Sequence, residues 1–116
     1  MPYYTGNLDG PMPLTLHLSP EASGPATLTV SGSVLTMAEW GHIGIEVAWE
    51  GETLGQAKIW SNGKNVHRAV VPASFDLMLD KPWTDGAPPS YELTLSPMNE
   101  DTMSDHNDVY HVFLAH

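Results

Sequence analysis

The residues best suited to metal or acid–base chemistry are the six histidines, which are spread over most of the chain. They are His17, His42, His67, His106, His111 and His116. No His-Glu-x-x-His pair occurs, and only residues two apart share a face of a strand, so spacing alone does not bring His106 and His111 together. We predict no transition-metal site and no cofactor.

An oxygen-rich segment near the end of the chain contains Asp101, Asp105, Asn107 and Asp108. Such side chains can ligate calcium, but an EF-hand loop needs a glycine and a terminal glutamate in fixed register, and neither is in register here. The segment therefore favours a solvated loop rich in Asx turns, with a calcium site as the alternative.

The residue types of covalent and phosphate chemistry occur without a recognisable arrangement. There is no cysteine, the serines lie in turn contexts, and no Gly-x-Ser-x-Gly elbow is present. No glycine-rich loop opens a helix, as a phosphate cradle requires. Fourteen acidic residues offer no evident facing pair for glycoside hydrolysis. We predict that the protein is not an enzyme.

The four tryptophans are the strongest candidates for contact with a partner. Trp49 continues an apolar strand face and is predicted to lie in the core. Trp60 falls on the opposite parity from Ala57 and Ile59, Trp40 stands at a strand entrance and Trp83 lies in a proline-rich loop. Exposed aromatic residues of β-sandwich modules contact proteins or sugars, and we favour a protein subunit here.

The charge balance restricts the possible partners. Fourteen acidic residues against Lys58, Lys64, Arg68 and Lys81 give a formal charge of −10. Such a field repels phosphate backbones and anionic lipid, so we expect neither nucleic acid nor membrane as a partner. No stretch approaches the roughly 20 apolar residues of a spanning helix, and no export signal is recognisable.

A period-two alternation of apolar and polar residues recurs along the chain and predicts half-buried strands. Ile43, Ile45, Val47 and Trp49 show it most clearly. Strands are predicted at about 14–18, 26–36, 42–50, 54–60, 66–72, 74–80, 90–96 and 108–115. The fold class predicted is all-β, an antiparallel and jelly-roll-like β-sandwich of about eight strands.

Two turns are predicted from their residues. Glu50-Gly51-Glu52 links two strands tightly, and Asn62-Gly63 is the strongest hairpin signal because both residues tolerate the positive φ angles of a type I′ turn. The strand that ends near Trp60 is therefore expected to fold back onto the strand that contains Val66.

The chain is predicted to form one domain with an N-terminal extension. Residues 14–116 form the sandwich, and residues 1–13, rich in proline and glycine, form an extended arm. Tyr3 and Tyr4 on this arm are plausible anchors on a neighbouring subunit.

Residues 26–116 resemble the small trimeric jelly-roll modules of phage virion proteins and of tumour-necrosis-factor and complement-type heads. The resemblance is carried by the strand at 41–47, Gly-His-Ile-Gly-Ile-Glu-Val, by 90–95, Ser-Tyr-Glu-Leu-Thr-Leu, and by the closing run 105–114. An arm plus one sandwich is also similar to capsid decoration proteins. The resemblance implies a homotrimer that binds the major capsid protein within a virion assembled in the host cytoplasm.

The sequence thus favours a non-enzymatic capsid-decoration subunit that stabilises a virion shell. Its expected contact residues are Tyr3, Tyr4, Trp40, Trp60, Trp83, Tyr110 and Phe113. The alternative is a tail-fibre head or carbohydrate-binding module that uses Trp83 with the loops at 81–90 and 97–107.

Overall fold

The computed structural model describes residues 3–116, apart from the side chains of Tyr3 and Tyr4. It contains nine β-strands: β1 (Tyr3–Asp9), β2 (Leu14–Leu18), β3 (Gly24–Val34), β4 (Gly41–Trp49), β5 (Glu52–Ser61), β6 (Arg68–Ala69), β7 (Ala73–Leu79), β8 (Tyr91–Pro97) and β9 (Val109–Ala115). Within this part of the chain, no helix is long and apolar enough to cross a membrane.

The strands form two antiparallel sheets. In sheet A the order is β1-β9-β3, and β6 and β7 both pair with β3; in sheet B the order is β2-β8-β4-β5. The pairs β1–β9, β2–β8, β3–β7 and β4–β5 are nested about the β4–β5 turn, like one long hairpin rolled into a sandwich. This is the topology of a jelly roll, so the predicted fold class is confirmed.

The core lies between the two sheets and is built from alternate residues of each long strand. In β4, Ile43, Ile45 and Val47 are buried, and in β9 the inward residues are Tyr110, Val112 and Leu114. The alternation occurs because successive side chains of a strand point to opposite faces of its sheet. The alternate residues of β4 and β5 therefore point to the outer face of sheet B.

The predicted hairpin at Asn62-Gly63 is wrong. β5 ends at Ser61, and the predicted strand 66–72 is reduced to β6, which pairs with Ser33 and Val34 of β3 rather than with β5. The segment crosses between sheets: the Val70 N–H donates to Gly32 O at 2.9 Å, and the Val71 N–H donates to Lys58 O at 3.0 Å. Sharing its backbone between both sheets prevents it from forming a long strand.

The predicted turn at Glu50-Gly51 is confirmed. Both residues have positive φ, 52° and 81°, as the centre of a two-residue type I′ hairpin loop requires. This turn joins Trp49 to its cross-strand partner Glu52. We call this end of sheet B the hairpin end.

Most of the predicted N-terminal arm is a strand. β1 pairs with β9 over seven positions, from Tyr3 opposite Ala115 to Asp9 opposite Val109, and forms an edge of sheet A. β1 is the strand that the prediction of about eight strands omitted. The sequence does not indicate it, because Gly6 occupies an inward position where an apolar side chain would be expected. Its contact with a neighbouring subunit stays a prediction.

Candidate binding site

An exposed aromatic cluster lies at the end of sheet B opposite the hairpin. His42 of β4 and Trp60 of β5 are cross-strand partners, next to the inward pair Ile43 and Ile59. The rings of His42 and Trp60 meet edge to face, with centroids 5.0 Å apart. Trp40, just before β4, packs against Trp60 at 6.0 Å with an interplanar angle of 61°. The three rings, from β4, β5 and the residue before β4, therefore form one angled aromatic surface.

Both tryptophans of this cluster face solvent. Trp40 is 67% exposed and Trp60 is 49% exposed. Single exposed apolar residues are common, but two adjacent indoles set at an angle offer a larger, mainly apolar contact surface. Trp60 lies in a regular strand, so its backbone is fixed by the pairing with His42 of β4.

Trp60 forms one wall of an open groove of about 380 Å³. This volume lies near the lower end of the roughly 300–1,000 Å³ typical of small-ligand sites. We call it the Trp60 groove. Its lining residues are His42, Gln56, Lys58, Ile59, Trp60, Val71, Pro72 and Ala73. Apolar walls with a few convergent polar groups are the usual composition of a ligand site.

The loop that follows β8 forms hydrogen bonds with the start of β4, which borders the groove. Asn99 Nδ2 donates to the carbonyl oxygen of His42 at 2.9 Å. Thr102 Oγ1 accepts from the Gly44 N–H at 3.1 Å and donates to Asn99 Oδ1 at 2.7 Å. The 97–107 loop, predicted as part of a binding surface, thus also holds β4 in position.

Trp49 and Trp83 lie elsewhere. Trp49 is buried and stacks on Tyr91 with centroids 5.3 Å apart, as predicted for a core residue. Trp83 is exposed in the loop between β7 and β8. Nearby Lys81 forms an ion pair with Glu50 of the hairpin end. The structure therefore brings Trp40 and Trp60 together and places Trp83 toward the other end of the sandwich.

The two candidates from the last strand divide between core and surface. Tyr110 is completely buried, because it points inward with Val112 and Leu114; this corrects its prediction as a contact residue. Phe113 points outward from sheet A and is partly exposed. The side chains of Tyr3 and Tyr4 lie outside the described part of the structure.

A polar cluster joins His67, Asp105 and Asp108. The spacing in the sequence did not indicate which of the six histidines meets these two aspartates. His67 Nδ1 lies 2.7 Å from Asp108 Oδ1, and His67 Nε2 lies 3.5 Å from Asp105 Oδ2. One ligand atom from each residue falls within 4.8 Å of the others, close enough to hold a metal ion.

The carboxylate of Asp108 is completely buried and forms hydrogen bonds with three segments of the chain. Its Oδ1 accepts from Ser33 Oγ at 2.7 Å, and its Oδ2 accepts from the Asp105 N–H at 2.8 Å. The hydrogen bond to Asp108, helped by the charges of Asp108 and Asp105 against some desolvation, raises the pKa of His67 above its ordinary 6.5. The cluster ties β3 and two loops to the start of β9.

Serine, histidine and aspartate are the residues of a hydrolase triad, but their order here differs. Ser33 donates to the carboxylate of Asp108 rather than to the imidazole of His67. In a catalytic triad the imidazole lies between the other two and takes the proton of the serine hydroxyl. His67 therefore does not activate Ser33 in this arrangement.

No protein-family model and no curated protein sequence matches the chain. Among solved structures, the chain is similar to one described as "EclA C-terminal domain; sugar-binding protein". The sequence identity is 14%, the match covers 98% of this chain and 79% of the other, and the TM-score is 0.49. At this distance, function has to be argued from the site itself.

Proposed function

We propose that the protein is a non-enzymatic carbohydrate-binding β-sandwich module and that the Trp60 groove is its sugar-binding site. The observation that carries the proposal is the pairing of two exposed indoles, Trp40 and Trp60, beside an open groove with polar side chains. This was the alternative hypothesis from the sequence, with the contact now at Trp60 instead of Trp83.

The chemistry of a pyranose suits this surface. One face of the ring presents C–H bonds, which pack on the electron-rich face of an indole, while the hydroxyls at its rim need hydrogen-bond partners. Gln56 and His42 supply donors and acceptors within the groove. Because Trp60 and its neighbours lie on paired strands, little conformational entropy is lost on binding.

The test is a titration of the intact protein with a panel of soluble oligosaccharides. Binding is detected by tryptophan fluorescence and by calorimetry. Trp60→Ala should abolish binding, and Trp40→Ala should weaken it. Trp83→Ala is the matched control, since it removes an exposed indole distant from the groove. Failure of every sugar to bind, or unchanged binding by Trp60→Ala, would overturn the proposal.

Subunit contact is the second candidate function, and the outer face of sheet A favours it. Val109 and Phe113 of β9 and Met78 of β7 are large apolar residues with substantial exposure on that sheet. A trimeric virion module of the decoration or fibre-head type would bury such residues. Light scattering of the native protein and of Phe113→Ser tests this: a trimer that the substitution dissociates would support it, and a monomer at all concentrations would not.

A further inference from the structure

We infer that the sugar recognised in the Trp60 groove carries a carboxylate, and that Lys58 is the cation that binds it. The inference rests on the proposed function and narrows it to a ligand class, the uronic and sialic acids. Lys58 is an outward residue of β5, two positions before Trp60.

Lys58 is set apart from the other basic residues of the chain. Lys64 lies 3.6 Å from Glu39, Lys81 pairs with Glu50 and also donates to Ser90 O, and Arg68 donates to Asn62. The ammonium of Lys58 makes no ion pair or hydrogen bond with any residue that the structure describes. It is the basic group left available for a ligand.

The surroundings of Lys58 keep its ammonium accessible. Its cross-strand partner is Gly44, so no side chain covers it from the directly opposite position of β4. A Cβ at Gly44 would lie 2.7 Å from the Lys58 Cα and 2.2 Å from the Ala57 carbonyl oxygen. The close approach of the two strands at this point therefore requires glycine.

The groove is locally basic in an acidic protein. Its eight lining residues include Lys58 and His42 but no aspartate or glutamate, although the chain has 14 of these acids. Glu46 occupies the next outward position of β4, opposite Gln56, and does not pair with Lys58 within 4.0 Å. By contrast, the groove at the hairpin end is lined by Glu50, Glu52, Asp76 and Asp80 with Lys81.

The overall charge of −10 limits how much negative charge a ligand can bring. A polyanion such as a sulfated polysaccharide or a nucleic acid would be repelled over much of the surface. A sugar with a single carboxylate meets the local cation at Lys58 while its ring packs on Trp60. A charge-assisted hydrogen bond of this kind is roughly twice as strong as a neutral one.

The experiment compares acidic sugars with neutral counterparts on the intact protein. The two matched pairs are methyl glucuronide against methyl glucoside and sialyllactose against lactose, measured by NMR shift titration and calorimetry. We expect the acidic member of one pair to bind about tenfold more tightly, and the responding pair distinguishes a uronic acid from a sialic acid.

Variants of Lys58 separate the effect of its charge from the packing of the sugar in the groove. Lys58→Met should remove the preference but keep neutral-sugar binding, and Lys58→Arg should retain it. Lys81→Met removes the same charge near the hairpin end and is the control for net charge. Thermal melts confirm that each variant folds. Equal binding of acidic and neutral sugars, or a preference that survives Lys58→Met, overturns this inference and leaves the proposed function intact. No binding of any sugar overturns both.

Discussion

His67 and Asp108, 41 residues apart, meet through a hydrogen bond of 2.7 Å between Nδ1 and Oδ1. The carboxylate is completely buried, whereas about a third of the histidine side chain remains exposed. An ionised carboxylate without partners is costly to bury, so the imidazole compensates part of that cost when it is protonated. Folding and protonation of His67 are therefore linked.

The first prediction is that the titration of His67 makes the stability of the protein depend on pH. Its pKa is raised in the folded state, mainly by the hydrogen bond to Asp108. The stabilisation is thus fully present below pH 6.5, its ordinary value, and is lost as the pH rises through the folded-state pKa. Replacing His67 with Gln should lower the unfolding midpoint more at pH 6 than at pH 9.

The measurement is thermal unfolding of both proteins across that range, and the difference between them cancels the titration of the other groups. His106→Gln serves as the matched control, because His106 makes no ion pair in the part of the chain that the structure describes. A difference between wild type and His67→Gln that is independent of pH would contradict the linkage.

The second prediction concerns Asp108 itself. Asp108→Ala leaves Ser33 Oγ, the Asp105 N–H and His67 without their acceptor. Removal of one partner from a buried network of this kind costs about 3 kcal/mol or more in the free energy of unfolding. Urea unfolding measures it, with Asp101→Asn on the exposed surface as the control that should change stability by less than about 0.5 kcal/mol. Equal effects of both substitutions would show that the buried network adds little stability.

Much of the fold follows from the sequence because the alternation reports burial directly. β4 could be predicted nearly residue by residue, since Ile43, Ile45 and Val47 all face the core. β1 could not, because Gly6 interrupts its inward face. The hairpin at Asn62-Gly63 failed for another reason: its residues suit a tight turn, but hydrogen bonds to both sheets draw the following segment away.

The candidate site was only partly predictable. Parity along β5 correctly indicated that Trp60 faces away from the core, and the position of Trp40 before β4 marked it as exposed. That the two indoles touch depends on the register of β4 with β5, which pairs His42 with Trp60. Register is a long-range property, as is the meeting of His67 with Asp108, and no local pattern encodes either.

The third prediction tests the close approach of β4 and β5 at Gly44. A Cβ there would lie 2.2 Å from the Ala57 carbonyl oxygen, which is backbone and cannot rotate away. Gly44→Ala should therefore destabilise the protein by about 1–3 kcal/mol and displace Lys58 in the groove. The control is Gly63→Ala, where the new Cβ would meet a flexible end of Arg68 at 3.4 Å. Comparable stability of both variants in urea would refute the steric argument.

The fourth prediction decides whether β1 is a structural strand or a removable arm. Deletion of residues 1–9 removes seven backbone pairs with β9 and leaves that strand as the edge of sheet A. The free edge and the loss of Leu8, which packs partly against the core, should lower the urea midpoint and promote self-association detectable by light scattering. Asn7→Ala is the control, because it removes only the surface hydrogen bond to His111 at 2.7 Å and keeps the strand. A truncated protein with the midpoint of the full chain would show that folding does not require β1, as expected for a removable arm.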